Sequence, residues 1–278
     1  MNRSHFIASI ISFLIKNPKA FLLALLLGGL SYSYEFFIAR DTMVFQGVPK
    51  AIESSLETYT RIFRNRAYMV GYSDLRGNPL WVVYKLTPPF QNVSPLKRPD
   101  SFNADWRNMG LITSSDYVNS GYDRGHMAPN HAIALLYGKE AQEETFLMTN
   151  ITPQKPMLNQ KLWQHLEAIE LESFAPKFKE LWVYTGPLFD FKTTHLKSSR
   201  FIEIPDAFYK IYVGIEQSGE IKTLSFIIPQ NAKGNDRLEK YLVSIDEVER
   251  RSGFDFLYEL DDKIENVLEK KIDQSSWF

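Results

Sequence analysis

No acidic side chain appears in the chain before Glu35, and residues 6–15 of that stretch are already mostly apolar. Arg3, Lys16 and Lys19 precede an uncharged run over residues 20–30, and Ser31, Tyr32 and Ser33 follow it. Basic, then apolar, then small is the layout of a secretory signal. A helix that spans a bilayer needs about 20 apolar residues. Residues 20–34, the stretch that would engage a membrane, fall short unless tilt or snorkelling lysines extend them. Removal as a signal peptide is favoured over retention as a membrane anchor. The apolar block at 6–15 lengthens the leader, so organelle import is a third reading. A buried core helix fits least, because nothing polar defines a second face. Residues 1–40 are therefore set apart from residues 41–278, which read as one domain.

Past the leader, periodicity assigns the elements. Residues 67–72 and 80–86 are β-branched and aromatic runs around turn-forming residues 73–79, which predicts a hairpin ended by Pro88 and Pro89. Residues 145–149 predict a short buried strand, and residues 150–156, with Pro153 and Pro156, predict irregular chain. Leu158, Leu162, Leu166 and Ile169 then recur at four- and three-residue steps, the apolar face of a helix. Asn159, Trp163 and Glu167 share the neighbouring stripe. In a regular helix Asn159 and Glu167 lie about 80° apart around the axis and about 12 Å along it. They can border one site but cannot chelate one ion side by side.

Residues 181–185 predict a buried strand closed by Gly186 and Pro187, and 207–216 with 221–228 predict a second hairpin. Ser244 with Glu247 is a capping box opening a short helix that Gly253 closes. Ile264, Val267, Leu268 and Ile272 predict a final amphipathic helix. Strands and helices do not alternate strictly, which makes the fold class α+β rather than a doubly wound parallel sheet.

Composition narrows the chemistry. The 278 residues contain no cysteine, so a disulfide framework, a thiolate metal site and a cysteine nucleophile are all excluded. Any metal must be held by nitrogen or oxygen. Residues 41–278 carry 28 basic and 32 acidic side chains, and residues 235–278 alone carry 7 and 12. A nucleic-acid partner usually leaves a basic footprint, which is absent globally, although an enzyme that grips few phosphates needs only a local patch. The loop from Lys97 to Arg107 is the nearest approach to one, with Arg98 and Arg107 as its candidates.

Chemistry concentrates in residues 122–130, Tyr-Asp-Arg-Gly-His-Met-Ala-Pro-Asn. His126 can take a proton near neutral pH, Arg124 can fork onto a phosphate, and Gly125 permits a close approach of backbone. Taken alone, the tetrapeptide could equally be a solvated turn. There is no G-x-S-x-G elbow, no P-loop, and His126 and His131 lack H-E-x-x-H spacing. A carboxamide oxygen such as those of Asn150 or Asn159 is a hard, neutral ligand suited to Mg²⁺.

Together, Asp123-Arg124-Gly125-His126, Thr149-Asn150-Ile151-Thr152-Pro153-Gln154 and Leu158-Asn159-Gln160 with Trp163, Leu166 and Glu167 resemble the DNA/RNA non-specific endonucleases. These are ββα-metal, or His-Me finger, nucleases, and the likeness is strongest to the mitochondrial endonuclease G branch. The resemblance implies a mostly antiparallel sheet flanked by helices and a Mg²⁺-dependent hydrolase of DNA and RNA, with Mn²⁺ or another divalent cation as the alternative. It makes His126 the general base, Asn159 the sole direct metal ligand, and Glu167 the group that holds the metal's waters. Asn150 would orient water or phosphate, and Arg124 would bind the phosphate. Some relatives carry an arginine one turn after Glu167, where this chain has Leu171, so Arg98, Lys155 or Lys161 would have to compensate. Relatives often form homodimers, and export or anchoring would keep the activity outside the cytosol. A catalytically silent protein retaining the nuclease fold is the alternative; it would need no general base.

Overall fold

The computed structural model describes residues 3–88, 96–190 and 192–278, in two units, Met1–Thr42 and Met43–Phe278. In the first unit, α1 (Arg3–Lys16) leads to α2 (Pro18–Tyr34). Pro18 starts α2 where its missing N–H would be unpaired anyway. Helical backbone continues past α2, so that Pro18–Met43 spans 26 residues at a mean hydropathy of 1.6. That is long and apolar enough to cross a membrane, and a signal sequence passes the same test. No residue of α2 is buried, so the core-helix reading falls.

The second unit begins with β1 (Lys50–Ala51), β2 (Arg61–Arg64), β3 (Tyr68–Ser73) and β4 (Asn78–Leu86). Strands β3 and β4 form the expected hairpin, which ends at Leu86; Pro89 lies outside the described residues. After β5 (Asp123–His126) come two short helices that periodicity did not reveal, α3 (Asn130–Tyr137) and α4 (Lys139–Thr145). Then follow β6 (Ile151–Gln154), α5 (Gln164–Ile169), β7 (Glu180–Leu188), β8 (His195–Leu196) and β9 (Ser199–Glu203). The second predicted hairpin is β10 (Ala207–Ile215) with β11 (Ile221–Pro229). Last are β12 (Leu242–Val243), α6 (Ile245–Ser252), β13 (Phe254–Asp255) and α7 (Asp262–Lys270). Ser244 caps α6 by accepting from Glu247 N at 3.2 Å, and Gly253 ends it at φ +76°, in the left-handed region that glycine adopts without strain.

Seven strands form one antiparallel sheet in the order β12-β11-β10-β7-β4-β3-β2, which establishes the α+β class. Strand alternation sends side chains to two cores. Tyr68, Val70, Val82 and Tyr84 face one side and pack with Trp163 and Leu166. Met69, Trp81, Val83 and Tyr184 face the other and pack with Ile245, Val248 and Phe256. Both faces are thereby closed, and the helix carrying Asn159 and Glu167 is seated on the first.

Four expectations need correction. Residues 145–149 are not a strand; the chain leaves α4, turns through Met148–Asn150 and enters β6 at Ile151. Pro153 sits inside β6, opposite Arg124, because a two-stranded ribbon leaves one edge without a partner that needs its N–H. Gly186 and Pro187 likewise continue β7 rather than close it. Finally, α7 does not bury its apolar stripe: Ile264 and Val267 are exposed while Glu269 is buried.

Candidate active site

The β5–β6 ribbon and the helix after it form a ββα unit, and the site is built on its concave side. In β5 the side chains of Arg124 and His126 share one face, as alternate positions of a strand do. Gly125 lies against the other: a β-carbon there would meet buried Gln154 at 2.2 Å, so only glycine lets the ribbon close. The following helix is not regular. Leu158–Trp163 and Glu170–Phe174 are π turns on either side of α5. Their i→i+5 bonding takes more residues per turn than an α-helix. The eight-residue step from Asn159 to Glu167 therefore falls nearer two whole turns than the regular-helix geometry allows. Both line one cleft of about 370 Å³, together with His126, Arg124 and Arg98.

His126 is set among rings, 5.3 Å from Phe102 and 4.9 Å from Phe146. It is 9% exposed, and its Nε2 has no hydrogen-bond partner. Burial first, and the charge of Arg98 second, lower its pKa to about 3, so the imidazole is neutral. Arg124 donates to Ser114 O from Nε at 3.2 Å and from Nη2 at 2.6 Å. Its guanidinium lies over the rings of Phe102 and Tyr117, which leaves the remaining donors to the cleft it lines.

Asn159 Nδ2 donates to Asp123 Oδ2 at 3.0 Å, and Gln160 Nε2 donates to the same oxygen at 2.7 Å. Holding the amide nitrogen fixes the direction of the carbonyl oxygen. Burial pushes the Glu167 carboxyl up to about 7; Lys210 opposes that shift and Glu170 adds to it. Both of those residues belong to an enclosed network beneath the helix. Glu170 accepts from Lys210 Nζ at 2.6 Å, from Tyr212 at 2.9 Å and from Tyr84 at 2.9 Å.

Not every candidate reaches the cleft. Asn150 is fully buried behind it: its Nδ2 donates to Ala128 O and Thr145 O, both at 3.0 Å, and its Oδ1 accepts from Ala128 N at 2.9 Å. An amide so committed fixes the chain leaving β5. Arg107 is clamped on Asp105 and also donates to Asn65, bracing a loop. Lys155 and Lys161 are not among the cleft residues; Lys161 packs over Gly234 instead. Of the four basic candidates only Arg98 lines the cleft, with its guanidinium 5.0 Å over the Phe146 ring. Sequence reasoning missed Asp123, Gln160, Gln164, Asn130 and the rings of Phe102 and Phe146. For Asp123 a signal existed, since it is the only acid in residues 122–130.

Comparison with known proteins converges on one family. Residues 50–263 match the DNA/RNA non-specific endonuclease family. Human mitochondrial endonuclease G is 31% identical over 206 residues, 69% of this chain and 67% of that protein. A nuclease of Nostoc sp. is 30% identical over 220 residues, 74% of this chain and 76% of its own length. The crystal structure of the EndoG/EndoGI complex aligns at a TM-score of 0.68 over 79% of this chain and 90% of that one; at 23% identity this likeness concerns the fold. The chain therefore belongs to the DNA/RNA non-specific endonuclease family, with the ββα-metal fold, and is an endonuclease of the endonuclease G kind.

Proposed function

We propose that this protein hydrolyses phosphodiester bonds in both DNA and RNA, with His126 as general base and a Mg²⁺ ion held by Asn159. The observation that carries this reading is that His126, with a neutral imidazole, lines the same cleft as Asn159 and Glu167. A silent binding protein would have no use for an imidazole kept in that state.

The residues fit a hard divalent cation. Asn159 has its amide nitrogen tied to Asp123, so its oxygen is the ligand atom. Glu167 holds its proton up to about 7 for want of a nearby positive charge that outweighs burial. When bound, the cation would stabilise charge on the phosphate and on the departing oxygen.

The side chains do the rest. His126 takes the proton from the attacking water on the ring nitrogen that faces the cleft, and the anionic phosphate beside it stabilises the imidazolium that results. Arg124, pinned through Ser114 O, presents its free N–H groups to the phosphate and opposes the charge that develops there. Arg98 adds a second positive charge where Leu171 supplies none; Leu171 is buried. Ionised Glu167 would help to hold the hydrated cation, and Asn150 keeps β5 in place from behind.

The relatives named as mitochondrial include the human and the yeast proteins. Together with the apolar helix from Pro18 to Met43, this supports action outside the cytosol, by export, anchoring or organelle import. The test of the activity is digestion of plasmid DNA and of RNA by the full chain in detergent with Mg²⁺, then with chelator. Cleavage of both that stops with chelator is expected. Salt-dependent DNA binding without cleavage in any divalent cation contradicts it.

A further inference from the structure

The last helix is turned the wrong way for its sequence. Ile264 and Val267 are 50% and 64% exposed, while Glu269, on the inward face, is 7% exposed. Burying a carboxylate in place of two available apolar side chains is unfavourable unless something compensates it. Of its two oxygens, Oε1 is enclosed and has no hydrogen-bond partner among the described residues. What it faces is more carboxylate. Oxygens of Asp246, Glu249 and Glu269 all lie within 4.8 Å of one another, and so do oxygens of Asp255, Glu265 and Glu269.

We propose that these five carboxylates, from α6, β13 and α7, form a second metal site, for a cation of the Ca²⁺ class, that pins α7 to the body of the domain.

The spacing suits that ion. Two oxygens on opposite sides of Ca²⁺, at about 2.3–2.6 Å each, stand up to about 5 Å apart, and Ca²⁺ accepts six to eight oxygen ligands in flexible geometry. Mg²⁺ needs shorter octahedral contacts and keeps most of its waters, so an all-carboxylate cage suits it poorly. The basic groups nearby are committed elsewhere: Arg250 to Glu247, Arg251 to Asp190 and Lys271 to Asp273. Lys50 stands opposite Asp255 across β1–β13, with its ammonium over the Tyr258 ring, and offsets one charge of the five. Beyond this cluster, α7 has little to hold it; Thr223 Oγ1 donates to Leu268 O at 3.1 Å. None of the five residues lines the catalytic cleft, so the site is independent of the nuclease chemistry.

The test uses the full chain in detergent carrying Asn159→Ala, which removes the catalytic metal ligand. Its melting temperature is followed as CaCl₂ replaces chelator. The expected result is a saturable rise of about 5–10 °C at a hundredfold above half-saturation, with one Ca²⁺ retained per chain in equilibrium dialysis. Adding Glu269→Gln, or Glu265→Gln with Asp246→Asn should the first fold poorly, abolishes both. Glu269→Gln in the otherwise unaltered protein leaves nuclease activity unchanged below its melting point. The proposal is overturned if CaCl₂ produces no shift, if the shift survives these substitutions, or if MgCl₂ matches it. It is equally overturned if Glu269→Gln alone raises the melting temperature and no Ca²⁺ binds, since two carboxyls would then be sharing a proton.

Discussion

Asp123 Oδ2 accepts from Asn159 Nδ2 at 3.0 Å, so the strand that carries His126, the proposed general base, also aims Asn159, the proposed metal ligand, on the helix. Asp123 touches neither water nor phosphate in this scheme. It acts by denying Asn159 the other rotation of its amide, a role that neighbouring groups commonly play for metal ligands.

Asp123→Ala should therefore raise the Mg²⁺ concentration for half-maximal cleavage by about 10–100-fold. The rate at saturating Mg²⁺ should change little. A metal titration of plasmid cleavage separates the two, and an unchanged titration midpoint would remove Asp123 from the account.

Beneath the cleft, the fully buried pair Glu170 and Lys210 ties the helix to the sheet. Glu170→Ala leaves a buried ammonium without its counter-charge and should cost about 3–5 kcal/mol. Replacing both, Glu170→Leu with Lys210→Met, should cost clearly less. Urea unfolding of the two proteins measures the difference, and equal losses would contradict a charge-pair explanation.

Asn150 makes a contrasting case, because it is buried for the backbone's sake. Asn150→Ala leaves Ala128 N, Ala128 O and Thr145 O unpaired, and each such buried group costs about 1–3 kcal/mol. Stability and activity should fall together, with no change in Mg²⁺ dependence. A loss of activity at full stability would instead place Asn150 in contact with the reaction.

Much of this was readable in the chain itself. Aromatic and β-branched runs located the β3–β4 and β10–β11 hairpins, and Ser244 with Gly253 bounded α6, because those signals are local. Residues 122–130, 149–154 and 158–167 named the site because their side chains are the chemistry. The rest depended on partners distant in sequence. Pro153 enters a strand only because β5 lies beside it. Periodicity identified an apolar stripe on α7 but cannot say which stripe faces inward, and in the structure that side is the one carrying Glu269. Asn150 and Arg107 were chosen for their functional groups, and only the fold reveals that those groups are already occupied. The π turns that bring Asn159 and Glu167 onto one cleft follow no residue pattern we can identify.

In the proposed mechanism Glu167 sets the pH dependence. Its folded pKa of about 7 lies above the ordinary 4.5, so its contribution to stability is full below about 4.5 and lost as pH rises through about 7. Metal binding requires the ionised form and should release a proton below that pH. At low Mg²⁺, kcat/KM should rise with pH through about 7, and the midpoint should move down as Mg²⁺ increases. His126, near 3, stays neutral throughout this range and does not shape it. A profile whose midpoint ignores Mg²⁺, or one that survives Glu167→Gln, would count against this assignment.

The most direct measurement is single-turnover cleavage of a duplex by His126→Ala at saturating Mg²⁺, with DNA affinity measured in parallel. A loss of about 10²–10⁴ in rate with affinity kept within a few-fold is the predicted result. A rate equal to that of the unaltered protein would contradict the assignment of His126 as the base.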